Sequence, residues 1–253
     1  MNLSRISVIV TSFNEAANIS RCLEGLDGFG EIILVDSFST DDTLEKAREY
    51  PVTIYQRPYE SAARQKNWAL ERVRHPWVLI LDADEALTEG LKREIAGMDE
   101  SGGPDGFWIR RQSEYLGRTI RHCGWQRDKV LRFFRPGLGR YEERAVHEEV
   151  TLEGREAIMD GKLHHFPYRK VGSHLQKLRE YSSRGAIDYV DKGGRFALLN
   201  MLLHPPFRFL RMYVLQLGVL DGSRGLMLCL LSSYGVYLKY AKAWERQRWR
   251  QRA

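Results

Sequence analysis

The first third of the chain alternates between short apolar runs and longer mixed segments. Residues 6–12, 31–35 (EIILV), 52–55 and 76–81 are compact apolar blocks bounded by polar residues. Uninterrupted apolar runs of this length predict strands buried on both faces. Between them lie segments with helical spacing, over 16–26, over 42–49 behind a cap at Thr40 or Asp41, and from Ser61 to about Arg74. Strands that alternate with helices predict βαβ units and a parallel sheet.

The pattern changes after residue 100. Residues 106–111 (GFWIRR) and 129–134 (KVLRFF) read as strands of a mixed sheet, separated by a Gly- and Arg-rich stretch over 116–127. A turn at Arg135-Pro136-Gly137 follows, then the acidic run His147-Glu148-Glu149. A strand over 157–166 carries His164-His165, and a helix is expected over 172–190. From Arg195 the chain is markedly apolar. Its longest uncharged run, 225–238, is 14 residues, short of the about 20 that a spanning helix needs. The expected organisation is a domain over 1–170, with halves at 1–85 and 105–166, and a helical extension over 171–253.

Charge adds a partner. The formal net charge is +6 and the isoelectric point about 9.2, which suits nucleotide phosphates or an anionic surface. The last fifteen residues, 239–253, hold six Lys/Arg against one Glu, with Trp244 and Trp249 among them. That composition suits a helix lying in a membrane interface. The alternative is a helix pair packed on the protein's own core or in an oligomer. Nucleic acid is not expected, because no recognition motif accompanies the charge. Cys22, Cys123 and Cys229 are few and widely spaced, so neither a disulfide framework nor a zinc cluster is expected, and a reducing compartment fits. Residues 1–5 run straight into the first strand, so no secretory leader is expected.

The candidate chemistry sits where the strands end. The run VLILDADE closes a buried strand with Asp82, Ala83, Asp84 and Glu85. Taken alone, a D-x-D is equally a solvated acidic turn. The strands ending near Thr11, Asp36 and Asp82 would all deliver polar groups to one carboxyl edge, the place where open α/β sheets bind ligands. Paired carboxylates there can hold a hard divalent cation that keeps phosphate oxygens as co-ligands. A dinucleotide-binding fingerprint is excluded, since the segment after the first strand reads TSFNEA rather than a glycine-rich turn.

Three motifs, ISVIVTSFNE, EIILVDSFSTDDT and VLILDADE, with the later FFRPG…AVHEEV, resemble inverting family 2 glycosyltransferases of the GT-A fold. The stretch LGVLDGSRGLMLCLLSSYGVYLKYAK resembles a bacterial subgroup that includes lipopolysaccharide-core glucosyltransferases. The resemblance implies a mixed, mostly parallel sheet flanked by helices, with a helical, membrane-associated extension. It implies transfer of glucose or another hexose from a UDP-sugar to an oligosaccharide or lipid-linked acceptor, at the cytoplasmic face of the inner membrane. It places Thr11, Asn14, Glu15, Asp36, Lys66, Asn67, Asp82 and Ala83 at the nucleotide sugar. Asp84, supported by Asp82, would hold Mg²⁺ or Mn²⁺. Glu148 would be the catalytic base, with Glu149 as its alternative; better-known members carry E-D there instead. Arg111, Arg127, Arg132 and Arg135 can grip phosphate, although each by itself reads as a solvated arginine. A sugar nucleotidyltransferase would want a Gly-rich basic loop after the first strand. A non-catalytic binding protein of the same fold would need none of the catalytic acids.

Overall fold

The computed structural model describes residues 1–99, 102–142 and 149–250. The chain forms two compact units, one of residues 1–112 and 128–166, the other of residues 113–127 and 167–253.

The first unit opens with β1 (Ile6–Ser12), α1 (Ile19–Glu24), β2 (Glu31–Asp36), α2 (Thr43–Ala47), β3 (Thr53–Gln56), α3 (Ala62–Leu70) and β4 (Trp77–Asp82). These strands pair in parallel in the order β3-β2-β1-β4. β1 is thus flanked by β2 and β4, and the chain winds away from it on both sides. That reversal opens a crevice at the carboxyl ends. The register places Thr11 opposite both Val35 and Asp82, and Ser12 opposite Asp36.

The buried strands feed two cores, one on each face. Ile6, Val8, Val10, Leu79 and Leu81 pack on one side; Ile9, Val78, Ile80, Ile33 and Val35 pack on the other. Alternation of side chains across a strand makes this split obligatory. Each fully buried aliphatic side chain contributes about 1.5–3 kcal/mol.

Helix ends differ from the sequence pattern for local reasons. Ser61 does cap α3, accepting from the Arg64 N–H at 3.1 Å. Neither Thr40 nor Asp41 starts α2. Asp41 instead accepts from the backbone N–H of Thr43 and Ala16, tying two loops together. Asp42 takes the cap position without a side-chain bond.

The second half supplies β5 (Glu85–Leu87), α4 (Glu89–Ala96), β6 (Gly106–Tyr115), β7 (Arg118–Thr119), β8 (Lys129–Phe134), β9 (Gly139–Tyr141), β10 (Val150–Leu152) and β11 (Glu156–Tyr168). β8 adds antiparallel to β4, and the sheet continues through β6, β11 and β5. Trp77 stacks on Phe133 at 4.8 Å, with Phe107 beside them, and this aromatic group seals the β4–β8–β6 joint. β9 and β10 form a separate hairpin.

The second unit is helical: α5 (Val171–Asp191), α6 (Ala197–Leu210) and α7 (Gly222–Arg250). Both α5 and α6 pack on α7. Tyr115, Ile120, Cys123, Met212, Leu228 and Cys229 form a small core there. Asp221, just before α7, accepts from the backbone N–H of Arg121 and His122, which anchors the 113–127 segment. Among the described residues no single helix is long and apolar enough to cross a membrane.

Candidate active site at the carboxyl edge of the sheet

Asp82 ends β4 at the centre of the crevice. Its Oδ1 accepts from Thr11 Oγ1 at 3.1 Å and pairs with Lys66 Nζ at 3.0 Å. Its Oδ2 pairs with Arg132 Nη2. Burial by itself would raise the Asp82 pKa, but Arg132 and then Lys66 outweigh it and hold the carboxyl well below its usual range. Arg132 shows the complementary effect. Burial would lower its pKa, whereas Asp82, Tyr141 and Glu85 hold it well above the ordinary value.

Behind Asp82 lies a network of buried charge. Glu85 is fully buried and accepts from the Asp82 N–H at 3.0 Å, closing the tight turn after β4. Its other oxygen meets Arg111 Nη1 at 3.2 Å. Arg111 in turn forks onto Asp128 at 2.8 and 3.0 Å, the bidentate geometry that makes such pairs strong. Arg132 also donates to the Tyr141 hydroxyl at 3.2 Å. The Arg132 Nε is buried and, among the described residues, has no hydrogen-bond partner, an orphaned donor at the edge of the crevice.

Asp84 sits in the two-residue turn between β4 and β5. Its Oδ2 is 3.9 Å from His165 Nε2, because β11 runs antiparallel beside β5 with His165 opposite Glu85. A carboxylate and an imidazole so placed form a two-donor site of mixed oxygen and nitrogen type. Burial raises the neighbouring Cys22 thiol pKa, and Glu85, Asp84 and Asp82 raise it further. Among the described residues no group of three or more His, Cys, Asp or Glu could hold a metal ion. Asp84 and His165 are a carboxylate and an imidazole that could face a cation here.

The β1 and β2 loops line the opposite side. Asp36 is fully buried; it accepts from Ser12 Oγ at 2.8 Å and from the N–H and Oγ of Ser39 at 2.8 and 2.5 Å. A carboxylate offers about four acceptor positions, so one remains. Asn14 takes a left-handed conformation at φ 53°, which asparagine tolerates better than most residues. Its side chain accepts from the Thr40 N–H at 2.8 Å. The Glu15 N–H donates to Thr43 Oγ1, and its carboxylate accepts from Asn18 Nδ2. Ala83 is buried, and its N–H donates to the Thr11 carbonyl.

Helix α3 turns its two candidates in different directions. Lys66 is buried against Asp82. Asn67 uses both ends of its amide on the backbone of Tyr141, at 2.9 Å each way. It thereby holds the residue whose hydroxyl meets Arg132. Asn67→Ala is expected to lower unfolding stability by about 2–4 kcal/mol, since two buried backbone groups lose their partner. Urea denaturation checks this; a change within 0.5 kcal/mol, about the scatter of neutral surface substitutions, would remove the clamp.

Arg132 and Arg111 are not the solvated arginines their sequence suggests. A cationic residue flanked by Leu131 and Phe133 in a buried strand was the available signal. The Arg135 guanidinium lies over Trp77 at 4.6 Å and pairs with Asp105 at 3.3 Å. Arg127 belongs to the helical unit. Glu149 is exposed beside the β9–β10 hairpin, and its carbonyl accepts from the Glu142 N–H at 3.0 Å. His147 and Glu148 lie outside the described residues.

A parallel α/β half with an acidic carboxyl edge, extended by antiparallel strands, is the GT-A glycosyltransferase fold. The family model described as Glycosyl transferase family 2 matches residues 7–153. The chain is 31% identical to the lipopolysaccharide core biosynthesis glycosyltransferase LpsC of Rhizobium meliloti (strain 1021), over 93% of each chain. It is 23% identical to an uncharacterized glycosyltransferase of Rickettsia typhi, over 95% of this chain and 87% of the relative. In fold it is similar to S. aureus TarS 1-349, solved in complex with UDP-GlcNAc. There the TM-score is 0.51 at 14% identity, over 98% of this chain and 92% of that one. The chain belongs to glycosyl transferase family 2 and is a glycosyltransferase.

Proposed function

We propose that this enzyme transfers a hexose from a UDP-sugar to a hydroxyl of a lipopolysaccharide-core or similar lipid-linked acceptor, with inversion at the anomeric carbon. The observation that carries the proposal is the convergence on one sheet edge of Asp82, held between Lys66 and Arg132, with the Asp84–His165 pair. The R. meliloti relative, a lipopolysaccharide core biosynthesis glycosyltransferase, supports the acceptor class, and the UDP-GlcNAc bound to TarS supports the donor class.

The reaction is one displacement. The acceptor oxygen forms a bond to the anomeric carbon as the bond to the β-phosphate oxygen breaks, and the hydroxyl proton passes to a base. Negative charge builds on the departing diphosphate. Among the described residues, Lys66 and Arg132 are cations at this edge, and the buried Arg132 Nε is a donor without a partner there. Asp84 and His165 would hold a divalent cation, the remaining positions going to diphosphate oxygens and water. When bound, that cation supplies Lewis-acid stabilisation of the leaving group. An imidazole donor favours Mn²⁺ over Mg²⁺. Thr11 and Asp82 would meet the ribose. The remaining acceptor position on Asp36 fits the N3–H of uracil, provided the loop at Ser37–Asp41 yields to admit it.

Glu148 is the proposed base, with Glu149 as the alternative. Glu148→Gln is expected to lower transfer about 10²-fold or more, the usual contribution of a positioned base, while UDP-sugar binding stays intact. Near-normal turnover passes the role to Glu149. The wider reading is tested by calorimetric titration of a UDP-hexose panel with and without Mn²⁺. Cation-dependent binding is expected; no binding with any divalent cation overturns the reading.

A further inference from the structure

In a water-soluble helical unit, the outward face of each helix is normally polar. Helix α6 reverses that order. Its inward positions, among them Ala197, Met201 and Phe209, are buried or half-buried. The carbonyl of Pro205 accepts from Ser233 Oγ of α7 at 2.5 Å, and His204 meets the Tyr240 hydroxyl at 3.4 Å. The opposite stripe is almost wholly apolar. Leu199, Leu202, Leu203, Phe207, Leu210 and Val214 recur at three- and four-residue spacing, and each is 52–62% exposed. A contiguous apolar stripe on an exposed helix marks an interaction surface rather than ordinary surface composition.

Charge selects the occupant. Between Asp191 and Asp221 the chain has no acidic residue, while Lys192, Arg195, Arg208 and Arg211 are all exposed. A second copy seated symmetrically on this face would set the arginines against their own counterparts, with no acid in the segment to neutralise them. An anionic lipid surface satisfies both features. The apolar stripe enters the acyl boundary and the arginines stay among the headgroups. Length and charge together set the orientation. At about 1.5 Å per residue, the helical path Ala197–Leu215 reaches about 28 Å, near the roughly 30 Å of a hydrocarbon core. It carries Arg208 and Arg211, however, whose charges are costly at membrane depth and favour the headgroup level. Past α6 and the π-helical turn after it, the path bends by 74° into the next helical segment.

We infer that α6, with the turn that follows it, is an in-plane anchor that seats the enzyme on a bilayer containing anionic lipid. The inference rests on the helical unit alone and holds whichever donor or acceptor the catalytic unit uses.

The test is flotation of the full chain with two vesicle types, one of phosphatidylcholine and one of phosphatidylcholine with phosphatidylglycerol. Wild type is expected to float with the anionic vesicles, and the doubly substituted Leu202→Glu/Phe207→Glu chain to lose at least about tenfold in partitioning. Both positions are exposed, so the fold should persist; an unchanged melting temperature verifies it. Arg208→Gln/Arg211→Gln is expected to weaken binding to anionic vesicles about tenfold or more and to leave binding to neutral vesicles unchanged. Failure of wild type to float overturns the inference. So does a stable dimer in light scattering that the Leu202→Glu/Phe207→Glu change converts to monomer. UDP-hexose titration on the same samples separates failure of the anchor from failure of the proposed donor chemistry.

Discussion

Asp84→Ala is expected to reduce sugar transfer by about 10³-fold or more. A cation-held leaving group contributes several kcal/mol, and each 1.36 kcal/mol is about tenfold in rate. Asp84 is singled out because its carboxylate stands 3.9 Å from the His165 imidazole. Asp82 differs: Lys66, Thr11 and Arg132 already engage its oxygens. The two acids of the D-x-D should therefore separate experimentally. Asp84→Ala should abolish the dependence of UDP-sugar affinity on Mn²⁺ concentration. Asp82→Asn should weaken donor binding yet keep that dependence. His165→Ala should narrow the preference for Mn²⁺ over Mg²⁺, because the nitrogen donor is what distinguishes the two ions at this pair. Metal titrations followed by donor calorimetry measure all three. An Asp84→Ala protein that still needs Mn²⁺ for donor binding would falsify the assignment.

Arg132→Met is expected to destabilise the fold by about 3 kcal/mol, the lower end of the range for breaking a buried pair. The lower end applies because Asp82 keeps Lys66 and its side chain is 32% exposed. Glu85, fully buried, would lose Arg132 and, among the described residues, keep Arg111 as its cation. For a domain of this size that corresponds to a melting temperature lower by about 6–12 °C. The loss carries a pH signature. Arg132 and Lys66 depress the folded-state pKa of Asp82 below its ordinary value of 3.8. A depressed carboxylate contributes stability that is fully present above its unfolded pKa and is lost as pH falls through the folded one. The gap between wild type and Arg132→Met should therefore be constant from about pH 7 to pH 5. It should shrink as pH drops below 3.8. Urea midpoints across that range decide the matter; a gap that widens in acid would show that Asp82 is not the partner that counts.

The parallel half of the sheet was legible because its signals are local. The apolar blocks at 6–12, 31–35 and 76–81 are β1, β2 and β4, and the polar residues at their ends share one edge. Ser61 as a cap and the strand over 129–134 were legible for the same reason. The first three helices came out shorter than their patterns, since capping and loop hydrogen bonds, not apolar spacing, end a helix. Asp41 illustrates this by using its carboxylate to join two loops.

The site was readable only in part. Glu85 looked like one more acid in a turn, but the fold buries it and points it at the Asp82 N–H. Arg132 looked like one of several solvated arginines, but β8 carries it under Asp82. Asn67 belonged to a helix expected to face nucleotide, and its amide is committed to Tyr141. His165 had no visible partner until β11 set it opposite β5. Periodicity reports which face of an element is buried. It carries no information about which residue of a distant strand will stand across from it.

By itself, then, the sequence determined the strand–helix alternation, the acidic end of β4, the family resemblance and the apolar, basic character of the C-terminal segment. Each is written in composition or short-range spacing, which a linear chain expresses without folding. The tertiary structure decided which cations reach Asp82, which donor joins Asp84, and which face of α6 is left outward. Those depend on sheet order and register, and antiparallel insertion of β8 and β11 brings together residues that no local pattern connects.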